Sequence, residues 1–179
     1  MGKSFKYLLI TTLLLLIFFL FYYKNKVRFE SVKIRKNSIT VSDFDMSKRI
    51  SKDEFYNIKS SKAEYSKDLN KIKMEGCNVV YKNGKNELEL NADSCEYVVD
   101  KKVILSGNIF GFYNDIKFST VSDMANCEYG FDNGSGNING RVVFHQKTNY
   151  IKADNVLFFI KTNKIIFIGN VEVNYEVVN

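Results

Sequence analysis

The chain reads as an all-β protein, a β-jellyroll or roll of tandem hairpins preceded by a single N-terminal transmembrane helix. Three observations predict this. An uncharged apolar run stands near the start, period-two alternation of Val, Ile, Leu, Phe and Tyr fills most of the rest, and one Ala-to-Gly unit recurs four times. Residues 1–26 form the anchor, 27–55 a basic stalk and the first strands, and 56–179 a domain of about four hairpin repeats.

The anchor comes first. From Tyr7 to Tyr23 the chain has no charge, and Lys3, Lys6, Lys24 and Lys26 flank the run. A helix over 7–23 is about 26 Å long at ~1.5 Å per residue. The hydrocarbon core is ~30 Å thick, and snorkelling lysines make up the difference. A cleavable signal ends in small residues, whereas this run ends in FFLFYYKNK, so the anchor is expected to be retained. Tyr7, Tyr22 and Tyr23 suit an interfacial belt. The charges at the two ends nearly balance and choose no orientation. Lys6 occupies the position where a myristoylation signal wants Ser or Thr.

The stalk carries most of the positive charge. Residues 1–75 hold sixteen Lys/Arg against eight Asp/Glu, and the remainder is slightly acidic. That suits either an anionic lipid surface or a solvated linker. No basic cluster interleaves with stacking aromatics, so nucleic acid is not an expected partner.

The repeats follow. They run Lys62 to Val79, Ala92 to Ile109, Ala125 to Val142 and Ala153 to Val171. Their alanines stand at 63, 92, 125 and 153, and their glycines at 76, 107, 140 and 169. Each parses as a strand bearing an aromatic (Tyr65, Tyr97, Tyr129, Phe159), a polar turn, and a second strand reaching the glycine. In the second unit Val103, Leu105, Gly107 and Ile109 share a face. In the last, Ile165, Phe167, Gly169, Val171, Val173 and Tyr175 do. A glycine repeated inside strands is expected to bend each at the same point and so curve the sheet.

The inward-facing set predicted from this alternation is Val79, Tyr81, Leu88 and Leu90, then Val103, Leu105, Ile109, Ile116 and Phe118, then Val142, Phe144, Ile151, Phe167, Val171 and Val173. These either fill a core or line a slot for an apolar ligand. Cys77, Cys95 and Cys127 show no C-x-x-C spacing. Their odd number argues against a disulfide framework, and they are expected to be small apolar fillers, although one pair could close. His145 stands alone, so no zinc site, other metal or cofactor is expected. No carboxylates pair for acid–base work, so the chain is not expected to be an enzyme. Asn133-Gly134 is expected to make a tight turn.

Two segments, LELNADSCEYVVDKKVILSGNI (Leu88 to Ile109) and IKADNVLFFIKTNKIIFIGNVEV (Ile151 to Val173), carry a resemblance. Together with the anchor they resemble the lipopolysaccharide-transport protein C family, the bitopic inner-membrane component of the lipopolysaccharide export system. The third unit departs from the pattern, with N-G-S-G-N-I-N-G in place of an apolar strand.

The resemblance implies a periplasmic jellyroll held by one inner-membrane helix, with the N-terminus in the cytoplasm. Such a protein takes lipopolysaccharide, or a related lipid, from an inner-membrane ABC transporter. It passes the lipid to a periplasmic bridge protein of the same fold, with acyl chains inside the roll and sugars outside. It holds no cofactor. The transporter would dock on strands at about Val32 to Phe44. The open edge of the last strand, through Ile165, Phe167, Val171, Val173, Tyr175 and Val177, could pair with a partner sheet. An acidic side chain at Leu105 or Phe118 is expected to block lipid while sparing the β fold. The rival is a membrane-tethered scaffold with a filled core and no lipid.

Overall fold

The computed structural model describes residues 31–35, 38–66 and 70–175. The anchor run 7–23 and the edge residue Val177 lie outside the described residues. Among those described, no helix is long and apolar enough to cross a membrane.

The described chain is nearly all β. Its strands are β1 (Ser31–Arg35), β2 (Ser38–Arg49), β3 (Glu54–Ser66), β4 (Lys71–Asn83), β5 (Asn86–Val98), β6 (Lys102–Ser106) and β7 (Phe110–Tyr113). They continue with β8 (Ile116–Thr120), β9 (Asn126–Gly130), β10 (Ser135–Gln146), β11 (Asn149–Phe159), β12 (Lys164–Ile168) and β13 (Glu172–Asn174). One 3-10 turn, η1 (Ile160–Thr162), joins β11 to β12. Every pairing is antiparallel. The sheet runs β1-β2-β3-β4-β5-β6-β9-β10-β11-β12, so sheet already exists in the segment assigned to the stalk and first strands.

A crease crosses this sheet and folds it into two facing layers. The long strands change partner there. β5 pairs β7 through 88–91 and β6 through 94–98. β10 pairs β9 through 135–139 and β8 through 142–145. β11 pairs β13 through 150–152 and β12 through 155–159. Layer one therefore holds 38–42, 62–66, 71–75, 94–98, β6, β9, 135–139, 155–159 and β12. Layer two holds 44–49, 54–60, 77–83, 86–91, β7, β8, 142–146, 149–152 and β13.

The repeat glycines mark the crease. Asp43, Gly76, Gly107, Gly140 and Gly169 all have positive φ, from 51° to 115°, the region L side chains avoid. At Gly107 a Cβ would sit 2.4 Å from Asp93 Oδ2. That carboxylate accepts hydrogen bonds from the backbone N–H and side-chain amide of Asn108, each at 2.9 Å. Asp154 repeats the arrangement, accepting from the Asn170 amide at 2.6 Å. The Ala-Asp and Gly-Asn pairs of these two units are thus two sides of one corner.

Two consecutive residues face outward at the corner, so the inward alternation slips by one. Buried positions fall three apart there: Val41/Phe44, Ser60/Ala63, Met74/Cys77, Ala92/Cys95 and Ala153/Val156. Contrary to the expectation of unbroken strands, β6 stops at Ser106 and β12 at Ile168, and the chain crosses to the other layer through the glycine.

The cysteine expectation needs correction. Cys77 and Cys95 form a disulfide, with Cα atoms 6.1 Å apart. Crease geometry brings them together: the paired residues are Cys77 with Ala92 and Met74 with Cys95, so each cysteine is the first buried residue past the corner on its own strand. The bond joins the two layers where they meet. Cys127 is free and buried, and burial pushes its thiol up to about 12.

Two stability predictions follow from the crease. Gly107→Ala should destabilise the fold by about 1–3 kcal/mol through backbone strain, read as a lowered denaturant midpoint. A midpoint equal to wild type would mean that the corner yields freely. Replacing Cys77 and Cys95 together by Ala should cost about 3 kcal/mol for a loop of this length, and the deficit should match that of wild type under reductant.

Candidate functional site

The two layers bring alternate strand residues face to face, and aromatic rings fill the gap. Around the first strands the filling is tyrosine-rich. Tyr56 stacks on Phe131 with centroids 3.9 Å apart, and its hydroxyl bonds that of Tyr97 at 2.7 Å. Tyr81 OH donates to Glu54 Oε1 at 2.5 Å, and Lys161 Nζ reaches the same oxygen at 3.1 Å. Glu54 is only 9% exposed, so this pairing satisfies a buried carboxylate.

The lips of the roll, away from the crease, are tied by further contacts between layers. Lys48 pairs with Asp100 at 2.5 Å and holds that carboxyl below its usual range. Asn86 Nδ2 donates to the Ile160 carbonyl at 3.1 Å, and Tyr113 OH to Asn163 Oδ1 at 2.5 Å.

At the C-terminal end the layers part around a cavity of about 210 Å³. Phe144 forms its back wall. That ring stacks on Phe118 at 5.1 Å and meets Phe167 edge-on at 5.1 Å. Ile116, Ile151 and Ile165 line the sides, and Tyr150, Val173 and Tyr175 the rim, with Gln146, Asn149 and Asn174 as the polar members. Outside it Glu172 ties Arg141 and Lys152 to the edge, and Lys152 Nζ lies 4.7 Å over the Tyr150 ring. The cavity is smaller than the ~300–1,000 Å³ of typical ligand pockets. It is a mouth rather than a continuous trough.

The predicted inward residues divide accordingly. Val79, Tyr81, Leu88, Leu90, Val103, Leu105, Ile109, Phe118, Val142 and Phe144 are all buried, at most 3% exposed. Ile116, Ile151 and Phe167 are half-buried around the mouth, beside Ile165, which was expected at the partner edge. Val171 and Val173 were expected inside; Val171 is 48% exposed and lies off the cavity, and Val173, 65% exposed, reaches only its rim. Gly169 and Asn170 follow β12, and β13 is a three-residue strand that, among the described residues, pairs β11 alone and has no strand on its other side. Tyr175 is likewise exposed. The expectation that an acidic side chain at Leu105 or Phe118 would spare the β fold does not hold. Both are fully buried, and a carboxylate there would disrupt the core.

Sequence reasoning missed Tyr150, Gln146 and Asn149 at the mouth, and Glu54 and Lys161 at the lips. None sits on a predicted inward position of a repeat. The signal for Glu54 was available only in its alternation with Tyr56 and Ile58, which are inward on the same strand.

No protein-family model matches the chain, and no curated protein sequence matches it significantly. Among solved structures it is similar to LptH of Pseudomonas aeruginosa, described as the LptA-homologous periplasmic component of the conserved lipopolysaccharide transport device. The identity is 10%, the match covers 68% of this chain and 95% of that one, and the TM-score is 0.54. At that identity the likeness is one of fold, and the fold is a β-jellyroll-like roll.

Burial raises the phenol pKa of Tyr56, Tyr81 and Tyr129 well above the ordinary value near 10. The folded state therefore favours the neutral phenols. Their contribution is fully present below about pH 10 and is lost as pH rises beyond it, where unfolded tyrosines ionise first. The urea midpoint should hold steady up to about pH 10 and then fall. Tyr81→Phe should flatten part of that decline. A midpoint that is level to about pH 12 would contradict the buried-phenol account.

Proposed function

We propose that the chain carries lipopolysaccharide, or a related lipid, from an inner-membrane ABC transporter to a periplasmic bridge protein of similar fold. It works without catalysis or cofactor, as a member of the lipopolysaccharide-transport protein C family. In this reading the run 7–23 anchors it once in the inner membrane and the roll lies in the periplasm. The observation that carries the reading is the apolar mouth between the layers at the C-terminal edge. Acyl chains leaving a membrane need such a surface, since each CH₂ is worth ~0.8 kcal/mol on burial. Three further features support it: the fold shared with a periplasmic lipopolysaccharide-transport component, the Cys77–Cys95 disulfide, which suits an oxidising compartment, and the apolar run followed by basic residues.

Among the described residues no strand pairs the outer side of β12 or β13, and this is the natural docking edge for the bridge protein, because Ile168, Val171, Val173 and Tyr175 are exposed along it. The transporter would meet the opposite edge, at β1 and β2.

A second reading has one observation in its favour. Most of the interior is filled to the last few per cent of exposure, as in a scaffold whose core carries nothing. The two readings differ at the mouth. A photo-crosslinking residue at Ile151 or Phe167 in the full-length, membrane-borne protein should capture lipopolysaccharide, while one at the outward-facing His145 should not. Absence of lipid adducts at both mouth positions, with the protein folded, would favour the scaffold. Deleting residues 171–179 should leave the roll intact and abolish capture of the bridge protein. Undiminished capture would rule out the edge as the docking site.

A further inference from the structure

The third repeat unit departs from the others in composition, and the fold gives that departure a place. On the outer face of layer one lies an open groove of about 650 Å³, separate from the mouth. Its floor is β9 and β10, where the outward positions are small or polar. Ser135 stands opposite Gly130, Asn137 opposite Glu128, and Asn139 opposite Asn126. Its walls are apolar: Ile104 on β6 pairs beside Glu128, and Leu157 and Phe159 on β11 pair beside Asn137 and Ser135.

The floor amides are already aligned. Asn137 Nδ2 donates to Asn139 Oδ1 at 3.2 Å, and Asn139 Nδ2 donates to Asn126 Oδ1 at 3.0 Å. At the head of this chain Asn137 Oδ1 is buried without a hydrogen-bond partner. A buried acceptor left unpaired costs about 1–3 kcal/mol. The terminal torsion of Asn is soft, so this side chain can reorient at small cost when a partner is offered. Amides both donate and accept, which is what a row of hydroxyl groups needs. Phe159 and Leu157 offer flat apolar surface for the C–H faces of sugar rings. The charged members of the lining balance: Lys102 pairs with Glu128 at 2.9 Å, and Lys101 is matched in number by Asp132, so the groove carries no net charge and recognition falls to the amides.

We infer that this groove binds a saccharide, and that the saccharide is the hydroxyl-rich portion of the same lipid whose acyl chains enter the mouth. The link to a lipid rests on the carrier reading above; the saccharide chemistry rests on the groove alone. Geometry favours a single ligand. Ile165 and Phe167 face the mouth from β12, and β12 pairs directly with the Leu157–Phe159 wall. A molecule passing round the β12 edge moves from mouth to groove across about two strand spacings, roughly 10 Å.

The test uses the full-length protein in detergent micelles and three probes: a fluorescent fatty acid, intact lipopolysaccharide, and the lipid-free oligosaccharide released from it by mild acid. Wild type should bind the oligosaccharide saturably. Asn137→Leu with Asn139→Leu should weaken that binding by about tenfold or more, as lost hydrogen bonds to a ligand do, and leave the fatty acid unaffected. No saturable binding by wild type, or equal binding by the variant, overturns the groove as a saccharide site. Should the double variant fail to fold, a spin-labelled oligosaccharide must broaden the side-chain amide signals of Asn137 and Asn139 in wild type; unchanged signals overturn the proposal equally. Intact lipopolysaccharide should bind more tightly than the oligosaccharide. If it binds no more tightly, the link between groove and mouth is overturned and a free saccharide remains. Failure of the fatty acid alone sinks the carrier reading and leaves the groove standing.

Discussion

Everything in this molecule depends on the corner that the chain turns midway along its strands. A flat sheet of thirteen strands would expose one apolar face to water. Bending it at one line lets that face bury itself, so that a single sheet supplies both walls of its own core. The bend is made with few parts. Alternate strands carry a residue of positive φ, while Asp93 and Asp154 tie the backbone or amide just past a glycine on the neighbouring segment. The Cys77–Cys95 bond then fixes the two walls at their junction.

Away from the corner the walls are held by quite different means. Hydroxyl, carboxylate and amide groups meet across the lips near the first strands, whereas the far end is walled by phenylalanine and isoleucine, with tyrosine, valine and a few amides at the rim of the opening. Polar groups buried at the lips are costly to separate, because each would be left unpaired. Apolar side chains at the mouth can part and take up another apolar surface with little loss. The molecule is thus closed firmly at one end and closed loosely at the other. This asymmetry, more than the cavity's present size, makes the end beside β12 the place for a hydrocarbon chain to enter.

Much of this was legible in the sequence. The four Ala-to-Gly units are the four hairpins that cross layer one, their glycines lie on the bend, and Asn133-Gly134 is in the turn between β9 and β10. The alternating residues of the middle strands are buried as their period requires. Three things were not readable, for physical reasons. Cys77 and Cys95 are eighteen apart with no motif, and only the crossing of two strands at the bend brings them together. Val171 and Val173 keep the alternation of a buried strand, but alternation does not say whether a neighbouring strand exists to cover them. Period two was assumed to run through each strand, whereas it slips by one at Met74/Cys77 and Ala92/Cys95. An apolar pair three apart inside an otherwise alternating segment is the written trace of a corner. The polar third unit, which looked like a defect in the repeat, pairs on both sides as well as its neighbours do.

The order of strands in the sheet has a bearing on how the molecule comes into being. Most strands lie beside the one just before them in the chain; among the described residues the path skips around β7, β8 and β9 and again at β13, which pairs β11. Contacts that are close in sequence cost little loop entropy to form. Each hairpin can therefore add to the template left by the last, in the direction in which a polypeptide emerges from a ribosome or a translocation channel. A chain drawn slowly through such a channel could complete its first layers before its final residues had appeared.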